Sequence, residues 1–225
     1  MCANMRASPG KDELKPPLQQ RSAAAHRRMV RAGLRLLELR DIDQISIRDI
    51  VSEADTSVGS FYHRFGTKEQ FFNHLIDDMI VRREEAAMRE IADRRVPITS
   101  TAEVLARGAM KNFRRHAGLL RSAVKWHIAG DRCWERINMM ARRIVDEYQR
   151  RLSESLGRPI DTLERERINF AFVWLYGLLV HRTLRLNVIQ GHTASDKVFE
   201  EETIRNFRQL IERAVSHWGA VRTKA

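Results

Sequence analysis

The chain has 225 residues and a formal net charge of +11, and 43% of its residues are hydrophobic. Its two cysteines are too few for a disulfide framework, which fits a reducing cytosol. The longest apolar run, residues 170 to 180, is far shorter than the roughly 20 residues that span a membrane, and the first residues lack a secretory pattern. We therefore expect a soluble, cytoplasmic protein with no membrane partner.

The basic excess is concentrated in the middle of the chain. Residues 100 to 158 contain 13 Lys and Arg against 6 Asp and Glu. Basic side chains on solvated helix faces account for such an excess. An acidic ligand, or long-range attraction to DNA, would account for it too. The charge is thus only weak support for a nucleic-acid function.

Few glycines and prolines, together with apolar residues at spacings of three and four, predict an all-α fold. A flexible basic arm, residues 1 to 20, should precede a first helix from about residue 22 to 39. The next helix should begin at Ser46, whose hydroxyl can cap free backbone N–H groups, with Asp49 completing part of a capping box. A break at Asp55-Thr56 separates it from a third helix, capped by Thr56 or Ser57.

Two short helices joined by a tight turn predict a helix-turn-helix, whose second helix enters the DNA major groove. The apolar spacing turns Val58, Phe61 and Phe65 towards the core, and leaves Tyr62 and His63 facing outward. Thr67 to Gln70 form a capping box that begins a long helix over residues 68 to 93. Lys68 lies in its first turn, where free N–H groups favour a phosphate.

These residues resemble the TetR-type bacterial transcription regulators over about residues 21 to 75. The matching pattern is Ser46-Ile47-x-x-Ile50-Val51, Ala54-x-x-Ser57-x-Gly59-Ser60-Phe61-Tyr62 and Phe65-x-x-Lys68-Glu69. The sequence departs from the family at Asp41 and Asp55, where glycine is usual, and at Arg64, where histidine is frequent. We expect both aspartates to take a left-handed backbone, which Asp tolerates better than most residues.

The DNA contacts follow from chemistry and from position in this motif. Hydroxyls meet base edges or phosphates, methyl groups meet thymine, glycine permits close approach, and basic or phenolic groups bind phosphates. Capping alone would also explain Thr56 and Ser57. The candidates are Arg48, Thr56, Ser57, Val58, Gly59, Ser60, Tyr62, His63, Arg64 and Lys68.

After a linker at residues 94 to 101, we expect helices over about 101–116, 119–128, 131–155, 161–187 and 196–218. The predicted organisation is an arm (1–20), a helix-turn-helix DNA-binding domain (21–67), a larger helical effector-binding and dimerisation domain (68–218) and a tail (219–225). The resemblance implies that the larger domain binds a small-molecule effector and forms a homodimer.

Bulky residues of the second half are candidates for an effector pocket, although ordinary core packing is the better explanation for any single one of them. They are Met110, Phe113, Trp126, Met139, Met140, Phe170 and Trp174. Apolar stripes on the last two helices could form a four-helix dimer interface, or could pack inside one subunit. They are Phe172, Leu175, Leu179, Phe207, Ile211, Ala214 and Trp218.

We find no metal-binding, nucleotide-binding or catalytic motif, so we expect neither an enzyme nor a cofactor. The predicted function is a dimeric transcription regulator, most simply a repressor, that binds double-stranded operator DNA and is released by an effector of unknown identity. The alternative is a small-molecule-binding or membrane-surface helical module, which would not need Tyr62 and Lys68 at this spacing.

Overall fold

The structure, a computed structural model, describes residues 18–184 and 194–215. Within these ranges the helices are joined by short turns and loops and there is no strand, which confirms the all-α class. The helices are α1 (Leu18–Leu39), a 3-10 helix (Ile42–Gln44), α2 (Ile47–Glu53), α3 (Val58–Phe65), α4 (Lys68–Ala92), α5 (Ile98–Arg115), α6 (Ala117–Ile128), α7 (Cys133–Leu156), α8 (Thr162–Thr183) and α9 (Asp196–Ala214). We call α1 to α3 the head and α4 to α9 the body.

Local sequence signals set the helix starts in the head. The Ser46 hydroxyl accepts from the Asp49 N–H at 3.1 Å, and the Asp49 carboxylate accepts from the Ser46 N–H at 2.8 Å. Thr67 and Gln70 make the same reciprocal pair at the start of α4. Ser57, rather than Thr56, caps α3. Each cap satisfies N–H groups that a helix start leaves free.

An aromatic cluster holds the head together. Phe61 and Phe71 are fully buried and Phe65 is nearly so, as predicted for Phe61 and Phe65. The ring centroids of Phe65 and Phe71 lie 4.8 Å apart, and those of Phe61 and Phe71 lie 5.3 Å apart. Because Phe71 belongs to α4, this cluster fixes the orientation of α3 against the long helix.

Two buried arginines order the body. Arg151 of α7 donates to the carbonyls of Asp93 (3.1 Å) and Val96 (2.9 Å), which secures the segment between α4 and α5. Arg83 of α4 donates to the Leu105 carbonyl and pairs with Glu90 at 3.2 Å. Such charges are tolerated in a core only because acceptors surround them.

The head meets the body where α6 packs against the end of α1 and the 3-10 helix; we call this contact the α1–α6 junction. The Ile42 N–H donates to the buried Ser122 hydroxyl at 3.1 Å. A Cβ atom on Gly118 would lie 1.5 Å from the Leu37 carbonyl oxygen, so glycine is needed for this approach. Trp126 donates from its indole N–H to Asp43 at 3.2 Å.

Candidate nucleic-acid interface and ligand cavity

The outer face of α3 is exposed. Tyr62 is 52% exposed, as predicted. Val58 is 40% exposed, so its predicted place in the core is wrong, because the first turn of α3 leaves its side chain on the outer face. Gly59 and His63 share this face, and no atom lies within 4 Å of a Cβ placed on Gly59. Thr56 is half-buried beside it, and Arg48 is exposed at the start of α2. The face is therefore free to approach another molecule closely.

Three predicted contact residues also stabilise the head. Ser57 accepts from the Ser60 N–H at 3.1 Å, so its hydroxyl oxygen serves as a cap. Arg64 donates to the Ser60 carbonyl at 2.9 Å and to the Ser60 hydroxyl. It also donates to the Ser22 hydroxyl at 3.1 Å, which joins α3 to α1. Structural contacts thus occupy much of the Arg64 guanidinium.

Lys68 points back into the head. Its ammonium donates to the carbonyls of Ile42 (3.1 Å) and Ile45 (3.3 Å), both in or next to the 3-10 helix. Two of its three N–H donors are therefore used inside the chain. The sequence motif did not predict that Lys68 secures the 3-10 helix against the start of α4.

The turn between α2 and α3 depends on Asp55. Its φ of +47° is left-handed, as predicted, and it is the one positive φ at a residue other than glycine within the described ranges. Arg28 secures the turn by donating to the Ala54 and Asp55 carbonyls at 2.9 and 3.2 Å. The same prediction for Asp41 is wrong. Asp41 caps the 3-10 helix with an extended backbone, φ −76°, so glycine is not needed there.

A cavity of about 350 Å³ lies in the body between α5, α6, α8 and α9. Its apolar wall contains Met110, Phe113, Leu179 and Phe199. Its charged residues are the cations Arg107, Lys111, Arg114, Arg121 and Arg182 and the anions Asp196 and Glu200. Arg107 pairs with Glu200 at 3.1 Å and Arg182 with Asp196 at 2.5 Å, so these two cations already have carboxylate partners. The cavity thus combines an apolar interior with an excess of positive charge.

Comparison with known proteins identifies the head. Residues 30–75 match the family model described as bacterial regulatory proteins, tetR family. The chain carries a TetR-family DNA-binding domain. The match begins within α1 and ends within α4, so it covers the whole helix-turn-helix and confirms the resemblance seen in the sequence. Members of this family are regulatory proteins and not enzymes.

Solved structures extend the likeness from the head to the body. A tetR-family transcriptional regulator from Streptomyces coelicolor matches with a TM-score of 0.62 at 12% identity, over 92% of this chain and 87% of that one. Salmonella enterica GusR matches with a TM-score of 0.61 at 15% identity, over 90% and 98%. Bacillus subtilis FadR in complex with stearoyl-CoA matches with a TM-score of 0.59 at 13% identity, over 85% and 98%. No curated protein matches the chain.

The TetR-type body brings few of the predicted effector residues together. Met110 and Phe113 line the cavity. Phe113 also lines a groove between α6, α7 and α8, together with Trp134 and Tyr176. The remaining members of the predicted pocket are scattered over the body. Met140 is core, Trp126 stacks on Phe72 at the α1–α6 junction, Met139 and Phe170 are exposed, and Trp174 is half-buried on α8.

The structure places the predicted dimer-interface residues inside the single subunit. All six described members are at most 3% exposed in a single subunit, so no surface is left on them for a partner. They are Phe172, Leu175, Leu179, Phe207, Ile211 and Ala214. Phe172 and Phe207 pack edge to face with centroids 5.1 Å apart, which joins α8 to α9 inside the subunit. Trp218 lies outside the described residues.

The sequence did not predict that residues of α9 line the cavity. The basic excess of residues 100 to 158 was, however, a sign of the cations that α5 and α6 contribute to the cavity.

In the described ranges no three His, Cys, Asp or Glu side chains could hold a metal ion. Burial raises the pKa of the Cys133 thiol to about 12, so it remains a neutral core group. No helix within residues 18–184 or 194–215 is long and apolar enough to cross a membrane.

Proposed function

We propose that this chain is a transcriptional repressor that binds a palindromic operator as a homodimer and leaves it when a small-molecule effector occupies the body. The observation that carries the proposal is the exposed outer face of α3, held rigidly inside a TetR-family helix-turn-helix. Val58 and Tyr62 lie about one turn apart on this face, and exposed apolar surface is a feature of sites that bind another molecule.

The side chains of this face suit a DNA groove. The methyl groups of Val58 and Thr56 can meet thymine methyls, and Gly59 lets the helix approach base edges closely. Tyr62, His63 and Arg48 are exposed and can bind phosphates, which fix the helix in the groove. Ser57, Ser60, Arg64 and Lys68 then act mainly by holding the helix in place, with any remaining donors available to phosphates.

A dimer is supported by the outer face of α8. Leu163, Phe170 and Val173 are 53%, 61% and 69% exposed, and Leu163 and Phe170 form a groove with Leu210 of α9. A second copy of the chain is the partner that matches this surface, because a twofold axis lets the same apolar residues cover one another. Two heads related in this way would meet half-sites about one helical turn apart, roughly 34–36 Å.

Effector release is supported by the cavity and by its place beside α6, which touches the head. A ligand that prefers a conformation with wrongly spaced heads would lower the affinity for operator by shifting the population. The FadR structure holds stearoyl-CoA. The cavity here, about 350 Å³, lies at the small end of the roughly 300–1,000 Å³ typical of ligand sites, which favours a smaller effector.

The test is selection of bound sites from random duplex DNA with the purified chain and with Tyr62→Ala/His63→Ala. The matched control is Met139→Ala, since Met139 is 50% exposed but lies on α7. A palindrome enriched by the parent and the control but not by the double variant supports the proposal. Enrichment of no sequence by a folded parent, or equal enrichment by the double variant, refutes it.

A further inference from the structure

Arg121 of α6 faces two parts of the molecule at once. It lines the cavity. Its Nε also lies 3.8 Å from Asp41, at the α1–α6 junction. Since the side chain is 18% exposed, much of the guanidinium is withdrawn from water.

The guanidinium of Arg121 is poorly satisfied. It makes no hydrogen bond to any residue of the described ranges, and its distance from Asp41 is too long for one. Arginine offers five N–H donors in a planar fork that matches a carboxylate in two places. The other cations of the cavity differ from Arg121. Arg107 and Arg182 already make close contacts to Glu200 and Asp196. Lys111 and Arg114 are exposed, so water screens their charges more strongly. Arg121 is therefore the cation best placed to take a new anion.

Asp41 anchors the head through the same contact. Besides Arg121, its carboxylate contacts the Lys125 ammonium one turn further along α6. The next residues, Ile42 and Asp43, contact Ser122 and Trp126. Loss of the Arg121 contact would thus weaken one of several links between head and body, without detaching the head.

We propose that the cavity binds a small organic acid, with its apolar part against Phe113 and Leu179 and its carboxylate on Arg121, and that the acid competes with Asp41 for this side chain. The proposal rests on the proposed function for its effect on DNA, and names the effector class and the residue that transmits binding. Binding of the acid to Arg121 and the contact of Asp41 with Arg121 then partly exclude each other. The acid therefore weakens the anchoring of the head, and an anchored head weakens binding of the acid by the same factor. Because Lys125 retains Asp41, the coupling is at the low end of the typical range, roughly fivefold.

Calorimetric titration of the full chain, without DNA, tests the cavity. The probes are benzoate, phenylacetate and hexanoate, each paired with its neutral amide. At least one acid should bind about tenfold more tightly than its amide, in line with a charge-assisted contact. Arg121→Gln should abolish this preference, whereas Arg132→Gln, an exposed cation on the loop before α7, should keep it.

Asp41→Asn tests the competition. It frees Arg121, so the acid should bind several-fold more tightly, while the affinity for the amide stays constant. Arg121→Lys keeps the charge but loses the fork, and should bind the acid with intermediate affinity. Circular dichroism checks that each variant is folded. Acids that bind no better than amides would overturn the ligand class, and an unchanged acid affinity in Asp41→Asn would overturn the competition.

Operator binding is measured separately, with the duplex recovered by selection. The acid should weaken operator binding about fivefold in the parent and should have little effect in Asp41→Asn. If no operator exists, the proposed function fails while the acid and Asp41 results still stand. If an operator exists but Asp41→Asn leaves both acid affinity and acid response unchanged, this inference fails and the proposed function remains.

Discussion

Gly118 sets how closely the head and body approach each other. Because a Cβ there would lie 1.5 Å from the Leu37 carbonyl oxygen, Gly118→Ala must push α6 away from α1. We predict a loss of roughly 2–3 kcal/mol in the free energy of unfolding, as for overpacked cores, measured by urea titration. Gly59→Ala is the control, since it meets no atom within 4 Å and should gain up to about 1 kcal/mol. Equal effects of the two substitutions would contradict this reading.

His116 should make the stability of the chain depend on pH. It lies between α5 and α6, and burial, with help from the charge of Arg115, lowers its pKa from 6.5 to about 4. Between these values the unfolded chain binds more protons than the folded chain, so stability falls as the pH falls.

The His116 effect is measured by comparing the parent with His116→Gln in urea titrations across the window from pH 6.5 to about 4. The parent should lose on the order of 2–3 kcal/mol more than the variant on acidification. If the free energy of unfolding changed equally with pH in the parent and in His116→Gln, the pKa of His116 would be the same in the folded and unfolded chains.

The helix caps at Ser46 and Thr67 could be predicted from the sequence, because a capping box involves only four consecutive residues. The contacts of Lys68 and Arg121 could not be predicted in this way. Both join segments far apart in sequence, 26 residues for Lys68 and Ile42 and 80 for Arg121 and Asp41. The backbone of Asp41 was predicted wrongly because a 3-10 helix, and not a left-handed turn, follows α1.

The turn between α2 and α3 contains measurable strain at Asp55. Glycine takes φ +47° without the cost of roughly 1 kcal/mol that a side chain incurs. Asp55→Gly should therefore stabilise the chain by about 0.5–1 kcal/mol in thermal or urea unfolding. Asp41→Gly, at an extended residue with two cationic contacts, should destabilise it instead. The same sign for both substitutions would contradict the assignment of the strained turn.

The outer face of α8 should hold the dimer together. Phe170→Glu places a charge among Leu163, Val173 and the same residues of the second copy, and burying an unpaired charge costs several kcal/mol. We predict that sedimentation will find monomers of this variant at concentrations where the parent is dimeric. Val81→Glu, at a residue of α4 that is 52% exposed, is the control and should leave the dimer intact. A dimeric Phe170→Glu variant would place the interface elsewhere.

Helical periodicity identified apolar stripes on α8 and α9, but could not say which side of α8 meets the subunit core. The core side carries Phe172 and Leu175 and the outer side carries Phe170 and Val173, and the four residues are equally apolar. Only the packing of α8 on α9 and α5 separates them. The same limit applies to the cavity, since its wall joins four helices whose arrangement the sequence does not specify.

At the scale of the whole molecule, the chain joins an exposed reading helix to a cavity through α6. The fold class and the helix-turn-helix were predictable, because capping, turn and apolar spacing all act within about 30 residues of sequence. The route between cavity and head was not, because it depends on the close approach of Gly118 to Leu37 and on the position of Arg121. The proposed regulation thus depends on contacts that only the folded structure brings together.

The central claim is that α3 reads a specific operator, and anisotropy titration of a labelled duplex tests it most directly. The selected palindrome and a scrambled duplex of equal length are compared over a range of salt concentrations. The account predicts two subunits per palindrome, an affinity at least about 10³-fold above that for the scrambled duplex, and a steep loss of affinity with salt. Equal binding of the two duplexes by the folded dimer would contradict it.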